Sequence, residues 1–162
     1  MQLKLIQADM AAYKEFLGTS KAEKFLHIWE SQLIFQEQWD LAAPEIPQMY
    51  DRSLQNSQTK RLWKREAYEP KRMMLAFMDM QADFVGYMFK DLFNEEKSIG
   101  GRVDRFVFHC DELLQEYKQQ FPRSIDNNHY HGDRYQMLSL YLAFRFPDLY
   151  TYYDGPAFWK VL

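Results

Sequence analysis

Apolar residues recur at intervals of three and four between residues 103 and 121. On an α-helix this spacing places five of them on one stripe: Val103, Phe106, Cys110, Leu113 and Tyr117. The charged residues of the segment lie off that stripe: Arg102, Asp104, Arg105, Asp111, Glu112, Glu116 and Lys118. A strand would instead need apolar and polar residues in alternation. The segment therefore predicts a long amphipathic helix with Cys110 in the middle of its buried face.

The segment from Pro70 to about Phe93 predicts a second helix that is apolar around more than half of its circumference. One face carries seven apolar residues: Met73, Met74, Phe77, Met80, Phe84, Met88 and Leu92. The polar residues form a single stripe: Arg72, Asp79, Asp83 and Lys90. A helix this apolar is typical of the centre of a bundle. We therefore expect the 73–92 and 103–121 helices to pack on each other.

Helical signals also occur in most of the remaining chain. They predict helices over 9–17, about 20–39, 133–146 and 157–162, and a short helix that includes Met49, Tyr50 and Leu54. Ser20 and Glu23 have the spacing of a capping box, and Gly100-Gly101 predicts a break before the 103–121 helix. Six Gly and six Pro are few for an all-β chain. The predicted fold is all-α, a single compact domain over residues 1–162 with about six to eight helices.

Composition excludes several classes of protein. The one cysteine, Cys110, excludes an internal disulfide and fits a reducing compartment, for which the cytoplasm is the default. No apolar run reaches the ~18–20 residues that a membrane span requires, so we expect no membrane partner. The formal net charge of −3 gives no overall attraction to nucleic acid, although a local basic patch is compatible with it.

Standard catalytic signatures are absent from the sequence. It contains no G-x-x-x-x-G-K-[ST] loop for nucleoside triphosphates, no G-x-G-x-x-G loop for dinucleotides and no H-E-x-x-H metalloprotease helix. A single cysteine cannot build a thiolate zinc cluster. These absences predict a binding module with no enzymatic activity and no cofactor of its own.

The sequence His129-Tyr130-His131-Gly132-Asp133 is the first candidate site. Its two histidines and its aspartate are residue types that bind transition metals. Two other roles are open: an interaction surface, or a structural loop in which Asp133 caps the next helix. We favour the structural loop and expect no bound metal.

A basic run is the candidate nucleic-acid site. Its six cations are Lys60, Arg61, Lys64, Arg65, Lys71 and Arg72. With Glu66 and Glu69 they leave a local charge of +4, so the rest of the chain sums to −7. Trp63 and Tyr68 lie among them, and cations with aromatic platforms are typical of sites for single-stranded or flipped nucleotides. The alternative is a solvated face on which the Lys and Arg stems cover apolar surface.

Three further positions, together with His129 and His131, could form an interaction surface. Arg134 and Arg145 share a predicted helical stripe, where they would contact phosphate or pair with acidic residues. Phe108 projects about 160° away from the centre of its helix's apolar stripe, onto the face that should meet solvent. We expect another element of the domain to cover Phe108, and contact with another chain is the alternative.

Several segments carry a family resemblance. They are His129-Tyr130-His131-Gly132-Asp133, Leu140-Tyr141-Leu142-Ala143-Phe144-Arg145-Phe146-Pro147, Tyr150-Thr151-Tyr152-Tyr153, Phe35-Gln36-Glu37-Gln38-Trp39-Asp40, Leu62-Trp63 and Pro70-Lys71. Together they resemble the N-terminal domain of McrB-like AAA+ proteins of modification-dependent, methylcytosine-type restriction systems. The likeness spans about residues 30–160. Its motifs are aromatic and structural rather than catalytic, so no base-reading residues carry over.

The resemblance implies one module of a larger protein. In that family the N-terminal domain selects the target, a following AAA+ motor hydrolyses nucleotide, usually GTP, and a partner nuclease subunit cuts. The implied role is target recognition in bacterial anti-phage defence, by contact with modified or phage DNA. The alternative is a protein-interaction module that senses a phage protein or docks a partner subunit. The apolar sequence Trp159-Lys160-Val161-Leu162, which lacks a helix stop signal, likewise predicts a chain that continues.

Overall fold

Six α-helices and one 3-10 turn make up the regular structure of the part of the chain that the structure describes. The computed structural model describes residues 3–58, 60, 62–64, 69–132 and 134–153. In order, the elements are α1 (Leu3–Leu17), the 3-10 turn Ala22–Phe25, α2 (His27–Gln38), α3 (Ile46–Ser53), α4 (Pro70–Leu92), α5 (Ile99–Gln120) and α6 (Gln136–Arg145). These residues contain no strand. The all-α prediction of about six to eight helices is therefore confirmed, while the predicted 157–162 helix lies outside the described residues.

α4 and α5 form the centre of the molecule, as their apolar patterns predict. The rings of Phe89 on α4 and Phe106 on α5 have centroids 5.1 Å apart. Cys110 is fully buried, which confirms its predicted place on the seam of α5. Tyr141 of α6 contacts the same pair, with its ring 5.1 Å from that of Phe89. α3 packs on α2 and α4, and α2 packs on α6, which closes the bundle.

Aromatic rings fill most of this core. The fully buried ones are Phe35, Tyr50, Phe77, Phe89, Phe106, Tyr141 and Phe144. Trp39 joins them, stacked on Phe35 at 4.6 Å and edge-on to Phe89 at 4.9 Å. Offset and edge-on contacts are the favoured geometries for ring pairs. Complete burial of a large apolar side chain contributes roughly 1.5–3 kcal/mol, so these rings account for a large part of the driving force for folding.

Several predicted helix starts are wrong. The helix predicted over 9–17 begins at Leu3, six residues earlier. The capping box at Ser20 does not form; a 3-10 turn begins after Lys21, whose side chain makes no capping hydrogen bond, and α2 begins only at His27. α5 begins at Ile99, so Gly100 and Gly101 lie in its first turn rather than in a break. Ser98 is extended and its carbonyl accepts the N–H of Arg102 at 3.1 Å, which starts the helix before the glycines.

Arg102 is buried at 2% exposure, although the sequence pattern placed it off the apolar seam. Its guanidinium joins three parts of the chain. Nη1 donates to the Leu92 carbonyl at 2.7 Å and to Glu95 Oε1 at 2.6 Å, and Nη2 donates to the Tyr150 hydroxyl at 2.9 Å. Arg102 therefore ties the end of α4 and the segment after α6 to α5.

α4 bends at Gln81, whose backbone angles of φ −145° and ψ 65° are not helical. The Gln81 side chain donates to Glu116 of α5, so the bend is tied to the neighbouring helix. Beyond the bend, a Cβ added at Gly86 would lie 3.2 Å from Cδ1 of Ile46, so the glycine permits α3 to approach closely. None of the described helices combines the length and apolar character that crossing a bilayer demands.

Candidate protein-interaction site

A row of four rings crosses the surface of α4 and α5. Phe84 and Tyr87 of α4 are stacked, with ring centroids 6.4 Å apart. Phe84 meets His109 of α5 edge-on at 5.1 Å, and His109 meets Phe108 at 5.5 Å. We call Tyr87, Phe84, His109 and Phe108 the aromatic row. It is carried by α4 and α5, the two central helices of the bundle.

Both ends of the aromatic row are exposed. Tyr87 and Phe108 are each 57% exposed, and Phe84 and His109 between them are half-buried. The expectation that another element covers Phe108 is therefore wrong. α5 buries its Cys110 side in the bundle, and in the described part of the chain nothing covers the opposite side.

The surroundings of the aromatic row are acidic. On α5, Asp104, Asp111 and Glu112 are exposed within about one turn of Phe108. On α4, Asp83 lies one turn before Tyr87 and Lys90 one turn after it. Arg105 is also near Phe108, but its Nε donates to Asp91 at 2.8 Å. The row therefore presents apolar rings in a negative field, which suits a ligand that carries both apolar and cationic groups.

Tyr87 is the residue that the sequence reasoning missed. It lies between Asp83 and Lys90 in the polar stripe of the 73–92 helix. A large ring in a polar stripe is the same signal that singled out Phe108, so the pattern could have found it.

The described residues of the basic run are not arranged as an exposed nucleic-acid surface would require. Trp63 is only 6% exposed and belongs to the core, so it is not available as a stacking platform. Lys71 lies over its ring, with Nζ 5.4 Å from the centroid. The same Nζ donates to the carbonyls of Asp51 and Leu54 at 2.8 and 2.7 Å, so Lys71 closes the end of α3.

Carboxylates pair with most of the described cations of this run. Lys71 Nζ is 2.9 Å from Asp51 Oδ1, and Arg72 Nη2 is 2.6 Å from Asp126 Oδ1. Lys64 pairs with Glu69, and Lys60 is exposed. Arg61, Arg65 and Tyr68 lie outside the described residues. In the described part, the structure thus brings the predicted cations together but largely neutralises them.

His129 and His131 are buried, at 4% and 0% exposure, so neither is an exposed interaction residue. His131 Nδ1 donates to the His129 carbonyl at 2.8 Å. Its Nε2 is then an acceptor, 3.0 Å from the Tyr141 hydroxyl, which in turn lies 2.6 Å from the Tyr50 hydroxyl. Burial lowers the pKa of His131 from its usual 6.5 to about 3, so the neutral ring fits this arrangement.

The hydrogen bonds of His129 bear on whether the cluster can hold a metal. Cys110, His129 and His131 each offer a ligand atom within 4.8 Å of the others. The His131 amide donates to His129 Nδ1 at 3.1 Å, so a neutral His129 carries its proton on Nε2 and donates it to Asp111, also at 3.1 Å. All four ring nitrogens are therefore in hydrogen bonds. Burial also raises the pKa of the Cys110 thiol and disfavours the thiolate that a metal needs.

The predicted stripe of Arg134 and Arg145 does not form. Arg134 and Tyr135 precede α6 with φ of 53° and 54°, so Arg134 is not part of the helix. Leu138 and Tyr141, which lie between the two arginines in that stripe, are buried. Arg145 is exposed and its guanidinium carbon lies 5.6 Å from the centre of the Phe146 ring. The two arginines therefore face solvent separately.

Comparison of the chain with protein-family models, with curated proteins and with solved structures found no match in any of the three.

Proposed function

We propose that this chain is a protein-recognition module that binds its target through the aromatic row. The observation that carries the proposal is the 57% exposure of both Tyr87 and Phe108, on the pair of central helices. The target would present lysine or arginine beside apolar side chains. By its resemblance to McrB-like proteins, the module would serve a cytoplasmic anti-phage restriction system, with an AAA+ motor in the same chain and a nuclease subunit as partner.

Interface energetics support this use of the aromatic row. Binding energy in protein interfaces concentrates in a few residues, and tyrosine is among the types most enriched there. A cation over a ring contributes about 0.5–2 kcal/mol, more when water is excluded. The carboxylates Asp104, Asp111 and Glu112 would accelerate the approach of a basic target through their field.

DNA recognition is the rival function. The contacts of the basic run and the carboxylates near the aromatic row both weigh against it. Phosphate contacts need cations that are available to the ligand. Lys64, Lys71 and Arg72 are already paired with carboxylates, and Trp63 is in the core. The carboxylates around Phe108 would repel a phosphate backbone.

The test compares one basic and one acidic ligand with DNA. Isotope-labelled protein is titrated with an amphipathic helical peptide of leucine and lysine, with the same peptide carrying glutamate for lysine, and with methylated and unmethylated duplex DNA at ~50 mM salt. We expect amide shifts around Tyr87 and Phe108 with the basic peptide alone. Binding of either DNA, with shifts near Lys60 and Lys64, would support the rival function instead.

Variants complete this test. The double variant with Tyr87→Ala and Phe108→Ala should bind the basic peptide at least about tenfold more weakly, since interface aromatics often contribute ~2 kcal/mol or more. Phe108→Ala alone should change the free energy of unfolding by no more than about 0.5 kcal/mol, as exposed positions do. The control is Tyr135→Ala, an exposed ring (51%) that does not belong to the aromatic row, which should bind as wild type does. Equal loss in the control would contradict the proposed site.

A further inference from the structure

α1 is a helix without a buried side. Every residue from Leu3 to Glu15 is exposed, and the helix has no buried residue. Only its last turn borders the rest of the domain: Tyr13, Phe16 and Leu17 line a groove of about 440 Å³ together with Trp29 of α2. A helix of about this length is marginal in water, because most helix stability comes from packing of an apolar face. Packing against a partner would therefore stabilise α1.

The exposed face of α1 has the spacing of a coiled coil. Leu3, Ile6, Met10, Tyr13 and Leu17 follow one another at intervals of three, four, three and four. These are the a and d positions of a heptad, with Leu3 at a. Leu3, Ile6 and Met10 are 64%, 37% and 57% exposed, so three successive a and d positions are open to another helix; Tyr13 is 51% exposed and also meets Trp29 edge-on at 6.4 Å.

The charged residues beside these a and d positions indicate which helix can pair with α1 and in which direction that helix runs. Asp9 occupies position g, and Lys14 occupies position e of the following heptad. In a parallel coiled coil, g of one helix faces e of the next heptad on its neighbour, so each Asp9 would meet Lys14 of another copy. An antiparallel pair would instead place Asp9 against Asp9 or Lys14 against Lys14. The charges of α1 therefore complement those of a second α1 helix only when the two helices are parallel and in register.

We propose that α1 assembles in parallel with α1 of further copies of this chain. In the first heptad, Leu3 at a with Ile6 at d is the combination that favours three or four strands over two; the second heptad has Met10 at a and Tyr13 at d. The bundle of α2–α6 lies at one end of α1, so parallel assembly places all the bundles, and their aromatic rows, at the same end. This surface is separate from the aromatic row, and the two can be tested independently.

A membrane surface is the other candidate partner for an exposed amphipathic helix. Helices that lie on membranes carry many lysines and arginines on their polar face, which bind anionic lipids. α1 has two cations, Lys4 and Lys14, and two anions, Asp9 and Glu15. Its net charge of zero gives no attraction to such lipids.

The first test is the mass in solution of the whole chain, by sedimentation equilibrium over a wide range of concentrations. The expected result is association towards three or four times the monomer mass of 19.7 kDa. Met10→Glu places a charge at an a position and should leave a monomer. Ala8→Glu adds the same charge at position f, on the opposite side of the helix, and should keep the wild-type mass. Phe108→Ala should keep it as well.

A charge exchange tests the direction. Asp9→Lys alone and Lys14→Asp alone should each shift association to higher concentration, and the two together should restore it, because the pair is then reversed. Wild-type protein that stays at 19.7 kDa at every concentration would overturn the proposal, as would a Met10→Glu protein that keeps the wild-type mass. Monomeric protein that sediments with vesicles of phosphatidylcholine and phosphatidylglycerol would overturn it in favour of a lipid surface.

Discussion

His131 lies in an environment very different from that of a free histidine side chain. It is fully buried and holds a neutral ring between the His129 carbonyl and the Tyr141 hydroxyl. A neutral donor and acceptor in one ring suits this position, because each nitrogen then has a partner of the right kind. The protonated ring is unfavourable here, because its second N–H would point at the Tyr141 hydroxyl, which already donates to His131 Nε2.

The free energy of unfolding should therefore fall as the pH falls below about 6.5. The pKa of His131 is about 3 in the folded chain and 6.5 in the unfolded one, so between these values the unfolded state binds the extra proton. Stability is fully present above pH 6.5 and is lost progressively below it, by up to about 1.4 kcal/mol per pH unit for one histidine. Urea unfolding at a series of pH values from 7 to about 5 measures the slope, in a range where carboxyl groups titrate little.

His131→Gln should reduce that slope by about one proton, because the amide keeps a donor and an acceptor without titrating in this range. The control is His109→Gln, since His109 is only half-buried and its Nδ1 lies 3.0 Å from the exposed Glu112. If the His131→Gln chain keeps the wild-type slope, the buried neutral ring is not the source of the pH dependence.

Zinc should fail to bind the Cys110, His129 and His131 cluster stoichiometrically. A metal held by all three residues would have to break one hydrogen bond of His129 and one of His131, and to deprotonate a buried thiol. Metal analysis of protein purified without chelator, followed by zinc titration with cobalt as a spectroscopic probe, measures this. One retained metal per chain that His131→Ala removes would show the opposite.

At the scale of elements, apolar spacing predicted the helices and local signals misplaced their starts. The stripe of Phe106, Cys110 and Leu113 could only be buried on a helix, and α5 buries it. The Gly100-Gly101 pair does not break the chain before the helix, because the Ser98 carbonyl already accepts the N–H of Arg102 and α5 begins at Ile99. Ser20 and Glu23 meet the local rule for a capping box, yet a 3-10 turn forms there. Such local preferences are worth about 1 kcal/mol and tertiary packing overrides them.

Arg102 should be the residue on which the junction of α4 and α5 depends most. Arg102→Met removes donors from the Leu92 carbonyl, Glu95 and the Tyr150 hydroxyl. We expect a loss of about 2–3 kcal/mol in the free energy of unfolding, because the buried Leu92 carbonyl is left without its side-chain donor and the partly buried bonds to Tyr150 and Glu95 are lost. Chemical unfolding measures this. Arg52→Met, which removes an exposed arginine on α3, should change this free energy by no more than about 0.5 kcal/mol, and equal losses would contradict the role assigned to Arg102.

At the scale of the whole molecule, the sequence predicted which residues form the core better than which residues form the surface site. Burial follows from the spacing of apolar residues, so α4, α5 and Cys110 were placed correctly. Whether a cation or ring is available depends on partners that are distant in the chain, such as Asp126 for Arg72 and Asp51 for Lys71. The spacing of residues in the sequence carries no information about such pairs. The cations of the basic run therefore looked more available to a ligand than they are.

The core and α1 should behave as separate parts of one chain. The core cluster extends from Phe35 to Phe144 and includes no residue of α1. A chain that begins at Tyr13 should therefore unfold in one transition at the wild-type temperature, compared at concentrations where both chains are monomeric. A chain that ends at Phe146 should melt earlier, because Arg102 then lacks Tyr150. Calorimetry measures both. A large drop in the melting temperature of the chain that begins at Tyr13 would mean that α1 stabilises the bundle within one molecule. The exposed a and d positions of α1 would then need a different explanation.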